Sequence, residues 1–255
     1  YLYLLPWAVG FLALVAGPTL ASLALSFTAY DVIQPPTFVG LANYVRAFTA
    51  DGLFWPSLGR TVYYAVAFVP LALLASLLLA LFLNQEMRGR AALRAVVFVP
   101  HLVPIVAGTL IWAWIFHPRG LVNYGLSLLR IPGPGWLGTV EWAIPALVIM
   151  AVWRAAGGNT MIIFLAGLQG VPQELYEAAE IDGASTFQRF RYITVPGLRP
   201  VILVTCLLST IWTSANLTQI LVLTGGGPND ATTTLPLLAY RVAIPGHELG
   251  MGSTI

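Results

Sequence analysis

Residues Val171–Pro196 have the sequence VPQELYEAAEIDGASTFQRFRYITVP, and this stretch decides how the chain is organised. It is polar, yet apolar segments long enough to cross a membrane stand on both sides of it. Its pattern predicts two short helices. Pro172 suits the first position of one helix, and Ser185 with Gln188 three residues later forms a capping box for the next. Gly183 is the predicted stop between them, so the stretch is a folded loop between two spans.

The spans account for most of the remaining sequence. The chain has 255 residues, of which 58% are hydrophobic and 9% charged, with a mean hydropathy of +0.82, whereas soluble domains have about 25% charged residues. A helix needs about 20 mostly apolar residues to cross a bilayer. Five segments satisfy this: residues 2–27, 61–83, 95–116, 143–168 and 201–223. We therefore expect an all-α polytopic membrane protein forming one transmembrane domain over residues 1–255, with kinks at the prolines of its spans.

Arginine placement predicts the orientation. All twelve basic residues are arginine. Six of them fall within the 43 residues of loops 84–94 and 169–200, against four within the 59 residues of loops 28–60 and 117–142. Because basic residues mark cytoplasmic loops, the loop at 169–200 is predicted to lie inside. The tail after residue 223 then lies outside, and we expect a sixth span beyond Ile255 in the intact protein.

The composition also limits the chemistry. Without lysine the chain has no phosphate-binding P-loop lysine, so ATP hydrolysis would have to occur on another subunit. Cys206 is the only cysteine, and the three histidines lack metal-ligand spacing, so we predict neither a metal site nor an enzyme. A stand-alone secondary transporter or channel is the alternative. The absence of Asp and Glu from the five predicted spans argues against it.

The loop at 169–200 contains a candidate docking surface. Ala178 and Ala179 are small enough for another surface to approach closely, and Glu177 and Asp182 can pair with arginines of a partner. This favours a docking helix for a soluble subunit. On periodicity alone, a solvated amphipathic connector without a partner is the alternative.

The loop resembles the EAA motif of ABC importer permeases, which is EAA, three residues, G, nine residues, then I-x-L-P. Glu177-Ala178-Ala179, Gly183 and Ile193-x-Val195-Pro196 match it at every spacing, with Val195 in place of the usual leucine. The resemblance implies that this loop is the coupling segment, which sits in a groove of the ATPase subunit. The implied coupling residues are Glu177, Ala178, Ala179, Asp182, Gly183, Ile193 and Pro196.

Further motifs are similar to the carbohydrate-uptake permeases, the maltose and glycerol-3-phosphate class. They are Phe38-Val39-Gly40-Leu41-x-Asn43-Tyr44, Leu165-Ala166-Gly167-Leu168-Gln169 and Leu223-Thr224-Gly225-Gly226-Gly227-Pro228, the last typical of the maltose-system F side. The resemblance implies a type I (MetI-like) importer helix bundle in a bacterial or archaeal cell membrane. It also implies a second permease subunit, two ATPase subunits that hold ATP and Mg, and an extracytoplasmic substrate-binding protein.

Polar residues within the spans are candidates for the substrate pathway. Arg154 is the single charge deep in a predicted span, and such a charge should face the bundle interior or a partner. A structural arginine and helix–helix hydrogen bonding are the alternatives. In the resembled family, spans four and five contribute to the substrate site. The candidates are Asn159, Thr213, Asn216, Arg154, Trp153 and Gln219.

The glycine-rich segment after the fifth span is a predicted loop. It consists of Gly225, Gly226, Gly227 and Pro228 and lies in the outer tail by the orientation above. We expect it to contact the substrate-binding protein, with a plain turn as the alternative. The function expected from the whole sequence is that of a permease subunit that imports a sugar, polyol or glycerol phosphate by ATP-driven alternating access.

Overall fold

Helices make up nearly all the regular structure in the computed structural model, which describes residues 2–255. A 3-10 turn at Leu2–Leu4 precedes the first long helix. The elements, in chain order, are α1 Leu5–Leu25, β1 Thr28–Ala29, β2 Thr37–Phe38, α2 Ala42–Val45 (continued by a π-helical turn at Arg46–Ala50), α3 Phe54–Asn84, α4 Arg90–Leu102, α5 Ile105–Ile115, α6 Leu121–Leu128, α7 Val140–Ala156, α8 Asn159–Gln169, α9 Gln173–Ile181, α10 Thr186–Gly197, α11 Arg199–Ser214, α12 Thr218–Leu223, α13 Leu235–Ala243 and α14 Leu249–Gly252.

The membrane-crossing helices agree with five spans if bent pairs are counted as one span each. Within residues 2–255, α1 and α3 are each long and apolar enough to cross a membrane alone. Three further pairs pass the same test together: α4 with α5, bent by 92°, α7 with α8, bent by 47°, and α10 with α11, bent by 65°. Four of the predicted spans therefore overlap these helices closely, whereas the last bent pair covers residues 186–214 instead of the predicted 201–223, and three of the five spans are broken.

Two of the breaks have local causes. Val103 and Pro104 are extended between α4 and α5, because the ring of a proline pushes the preceding residue out of the helical region. The kink expected in the third span thus becomes a sharp bend. Gly157 and Gly158 separate α7 from α8. The predicted fifth span, 201–223, is divided as well, because α11 ends at Ser214 and a separate short helix starts at Thr218.

The described chain divides into two compact units. The first comprises residues up to 61 together with 232–255, and the second comprises residues 62–231. The expectation of one domain over residues 1–255 stays a prediction, and residue 1 lies outside the described residues.

In the first unit a small hairpin is built around the Phe38–Tyr44 motif. Strands β1 and β2 pair antiparallel, with Thr28 opposite Phe38. Gly40 has φ +59°, which favours glycine at this turn. The Asn43 side-chain amide donates to the carbonyls of Ser26 (3.0 Å) and Thr28 (2.8 Å). The motif therefore joins the end of α1 to the hairpin, and this structural role explains its asparagine and its glycine.

The core of the second unit joins α3, α8 and the start of α11. Its buried members are Ala80, Leu83, Met161, Phe164, Leu165, Leu168 and Leu198. Gly167 lies against Leu198 and Val201, where a Cβ atom would come within 2.9 Å of both side chains. Small residues at such contacts let membrane helices approach closely, so this packing holds the start of α11 beside α8.

Candidate functional site

The loop at 169–200 forms two helices joined by a tight turn. Pro172 is the residue before α9, in an extended conformation, rather than its predicted first helical residue. Gly183 has φ +74°. The Gly183 amide donates to the Glu180 carbonyl (3.1 Å) and the Ala184 amide donates to the Ala179 carbonyl (2.8 Å). These two bonds form a Schellman motif, which confirms Gly183 as the stop of this helix.

The second helix begins with the predicted capping box. The Ser185 amide donates to Gln188 Oε1 (2.7 Å), and the Gln188 amide donates to Ser185 Oγ (3.3 Å). Two contacts then bind this segment to α9: the hydroxyls of Tyr176 and Thr194 are 2.9 Å apart, and the Arg189 guanidinium lies 3.2 Å from the Glu180 carboxylate. The loop is therefore a defined helix-turn-helix.

The structure separates the seven predicted coupling residues into two groups. Glu177, Ala178, Asp182 and Gly183 are exposed, whereas Ala179, Ile193 and Pro196 are half-buried. Large apolar side chains accompany the exposed group, with Ile181 87% exposed and Phe187 69% exposed. An apolar, small-residue surface rimmed by carboxylates is the composition expected where another protein docks. The later half of the motif, Ile193 and Pro196, instead lies half-buried in the segment that leads into α11.

Five of the six predicted pathway residues line one cavity of about 360 Å³ within the second unit. They are Arg154, Asn159, Thr213, Asn216 and Gln219. Trp153 is the exception: it is absent from the lining, and its ring packs edge-on against Trp112 with centroids 5.5 Å apart. Neighbouring residues on a helix point about 100° apart, and here Arg154 faces the cavity while Trp153 packs against Trp112.

A hydrogen-bond network holds one wall of the cavity at the break between α11 and α12. The Asn216 amide donates to the Tyr64 hydroxyl (3.0 Å) and to Gln219 Oε1 (3.2 Å). The Gln219 amide donates to the carbonyl of Leu147 (2.9 Å) on α7. Tyr64 and Gln219 are only 2% and 4% exposed. Buried polar groups that are satisfied in this way hold a single arrangement.

The rest of the lining combines aromatic and small polar side chains. The residues that sequence reasoning missed include Tyr64, Phe68, His101, Thr160, Ser209, Trp212 and Thr218. Tyr64 and Phe68 are one helical turn apart on α3, and their rings are stacked. Hydroxyl, amide and aromatic groups together suit a polyhydroxylated ligand, whose ring faces are apolar and whose edges hydrogen-bond. Residues 2–255 contain no cluster of three His, Cys, Asp or Glu side chains that could hold a metal ion.

The glycine-rich segment is largely packed into the protein. Gly225 and Gly226 have φ +57° and +96°, so this turn favours glycine at both positions. Gly226 is buried, and Gly225, Gly227 and Pro228 are half-buried, whereas the following Asn229 is exposed. Contact with a binding protein through the four predicted residues stays a prediction.

Broken membrane helices around a polar cavity, together with a helix-turn-helix loop between spans, are the features of an integral membrane transport protein. The family described as "Binding-protein-dependent transport system inner membrane component" matches residues 69–245, and the chain belongs to this family. The resemblance to ABC importer permeases is thereby confirmed.

Individual relatives agree over the whole chain. The trehalose/maltose transport system permease protein MalF of Thermococcus litoralis is 41% identical, covering 100% of this chain and 86% of that protein. The sulfoquinovosyl glycerol transport system permease protein SmoG of Agrobacterium fabrum is 34% identical, covering 100% and 83%. A bacterial ABC transporter involved in the import of the acidic polysaccharide alginate has a chain with a TM-score of 0.84 and 25% identity, covering 99% and 86%. This structural likeness confirms the predicted helical importer fold.

Proposed function

We propose that this chain is one of two permease subunits of an ABC importer that takes up a carbohydrate or a related polyol or glycerol phosphate. The observation that carries the proposal is the cavity, in which five residues chosen for substrate contact are brought together with stacked aromatic rings. The named solutes of the relatives are carbohydrates or their derivatives, and they include neutral and acidic compounds. These names support a carbohydrate as the solute, but they do not indicate whether it is neutral or acidic.

The coupling step is assigned to the helix-turn-helix at 173–197. Its exposed Glu177, Ala178 and Asp182 face away from the chain's own core, as a docking surface requires. ATP binding closes the ATPase dimer, the docked loop follows, and the spans switch the cavity from one side of the membrane to the other. ATP and Mg belong to the ATPase subunits in this scheme, and the solute arrives on an extracytoplasmic binding protein.

The test is solute uptake together with ATP hydrolysis in the assembled importer. Glu177→Arg and Gly183→Asp each place a wrong charge or a strained residue on the docking surface, so both should abolish uptake while the chain still inserts into the membrane. Arg119→Gln, on an exposed loop residue, is the control for a change of charge alone. Uptake at the wild-type rate in both loop variants would show that this loop does not couple the subunits.

A further inference from the structure

The cavity carries positive charge without a compensating carboxylate. Of its lining residues, only Arg154 and His101 are ionisable to cations, and the lining includes neither Asp nor Glu. The two side chains are close enough to interact electrostatically. A cation in a membrane-crossing segment is costly unless an anion, water or carbonyl groups surround it. The site therefore offers a charge that nothing in its own lining neutralises.

Arg154 in particular lacks a partner. Its Nε atom is buried and has no hydrogen-bond acceptor among the described residues. The side chain stands in the last turn of α7, where the helix dipole compensates a cation only in part. The ion pairs Arg46–Glu248 and Arg189–Glu180 do not involve Arg154.

Two arginines of α4 also have buried nitrogens without a hydrogen-bond acceptor. Arg90, Arg94 and His101 lie on the face of this helix that is turned toward the protein, while Val96, Val99 and Leu102 on the other side are exposed. This is the reverse of a soluble helix, which exposes its charges. Nitrogen atoms of both arginines, Nε and Nη2 of Arg90 and Nε of Arg94, are buried without an acceptor in the described chain.

The position of α4 relates this row to the cavity. Gly157 and Gly158, directly after α7, lie against Val97 and His101 of α4, so close that a Cβ atom on either glycine would clash. The arginines of α4 start in loop 84–94, which is predicted to lie inside, and His101 at the other end lines the cavity. Two arginines whose buried nitrogens have no acceptor in the described chain, Arg94 and Arg90, thus follow His101 along α4 toward the predicted inner end of the path.

We infer that the imported solute is an acidic carbohydrate, whose carboxylate, sulfonate or phosphate group is bound by Arg154 in the cavity. The inference rests on the proposed function and adds the charge of the solute to it. A neutral sugar would leave the guanidinium uncompensated, whereas an acid group forms charge-assisted hydrogen bonds with it. Arg94 and Arg90 then provide the attraction that draws the anion toward the inner side after the cavity opens there.

The experiment compares matched sugars in cells that express the complete importer, with a strain lacking it as background. The probes are a digalacturonide against its uncharged digalactoside counterpart, and glucose 6-sulfonate against glucose. We expect the acidic member of a pair to be taken up at least about tenfold faster than the neutral one, as one charge-assisted hydrogen bond can supply. Equal uptake of the two members, or faster uptake of the neutral one, overturns the inference but leaves carbohydrate import standing. If no probe is taken up above background, the result counts against the acidic solute and against carbohydrate import as well.

Variants then assign the preference to residues. Arg154→Gln should lower the ratio of acidic to neutral uptake about tenfold, and Arg154→Lys should restore part of it. Arg119→Gln, on an exposed loop, should leave the ratio unchanged. If Arg154→Gln abolishes all uptake, the inference is tested with Arg94→Gln instead. This variant must also lower the ratio of acidic to neutral uptake, and an unchanged ratio overturns the inference. An unchanged ratio combined with less co-purified second permease would show that Arg154 pairs with the partner subunit, and the inference would be wrong.

Discussion

The side-chain amide of Asn216 donates a hydrogen bond to the hydroxyl of Tyr64, 3.0 Å away and 152 positions earlier in the chain. This bond joins the break between α11 and α12 to α3, and a second bond from Asn216 reaches Gln219, which in turn bonds to Leu147 on α7. Three separate segments of the second unit thus share one polar network beside the cavity. The break between α11 and α12, which interrupts the predicted span 201–223, therefore lies at the cavity.

Removing the Tyr64 hydroxyl should therefore weaken this unit. Tyr64→Phe keeps the ring but removes the acceptor for Asn216, and the loss of one such bond costs about 1 kcal/mol. We expect the thermal midpoint of the purified complex to fall by about 2–4 °C and the uptake rate to fall with it. Tyr63→Phe changes an exposed neighbour and is the matched control. Equal midpoints for the two variants would contradict a supporting role for the network.

The glycine at the break in the fourth span should tolerate no side chain. A Cβ atom at Gly157 would clash with the Val97 carbonyl, so Gly157→Ala must push α4 away. Overpacking of this kind costs about 1–3 kcal/mol, and we expect less folded chain in the membrane and a lower melting temperature. Gly125→Ala, which meets nothing within 4 Å, should have neither effect. Similar expression and melting of both variants would refute this close helix contact.

Gly183 should be required for its backbone conformation alone. A Cβ atom there meets no neighbour within 4 Å, but its φ of +74° disfavours any other residue. Gly183→Ala should cost about 1–2 kcal/mol, which would speed hydrogen exchange at the Ala184 amide roughly tenfold. Gly59→Ala, also in open space but without a positive φ, is the control and should leave that exchange rate unaltered. Slow exchange in the Gly183 variant would argue against the Schellman turn.

The ion pair between Arg46 and Glu248 should contribute little and should not respond to pH near neutrality. Arg46 Nη1 lies 2.6 Å from Glu248 Oε2, but both side chains are about half exposed, so the pair contributes at most about 1 kcal/mol and less at high salt. The hydrogen bond that the Arg46 guanidinium donates to the Glu248 carboxylate raises the pKa of Arg46 above its ordinary value. Such a raised pKa stabilises the folded state at every pH below that ordinary value and ceases to do so only above it.

We therefore expect Arg46→Gln to lower the thermal midpoint by the same small amount at about pH 6 and at about pH 9. Arg119→Gln, whose arginine forms no ion pair in the described chain, controls for the loss of net charge. A large difference between the two pH values would mean that another titrating group acts at this pair.

Local patterns in the sequence were sufficient for the helices and for the helix-turn-helix in the loop at 169–200. The capping box at Ser185, the stop at Gly183 and the bend near Pro104 each depend on residues within a few positions of one another. Their energies arise from backbone dihedrals and neighbouring hydrogen bonds. The EAA spacing is local in the same sense. Pro172 was placed one residue too far into its helix, since helix ends are weakly specified.

The break in the fifth span was not predicted because its cause is distant. Residues 201–223 are apolar enough overall to be predicted as one span, and the polar run at 213–219 does not by itself require an interruption after Ser214. The partners of Asn216 and Gln219 include Tyr64 and Leu147, which belong to other helices. Polar side chains in a membrane find partners where packing brings them. The contact of Trp153 with Trp112 likewise depends on a neighbouring helix, and a role for Trp153 in the substrate pathway stays a prediction.

The amino-acid sequence by itself determined the class of this protein through its candidate spans, the helix-turn-helix loop and the family, and it also predicts an orientation. These follow from hydrophobic length, charge placement and short spacings, which need no knowledge of which helices meet. Only the tertiary structure decided which polar residues share a cavity and which cations there have no counter-charge. A residue's neighbours across the membrane bundle are set by helix packing between distant segments, and that packing leaves no local pattern in the chain.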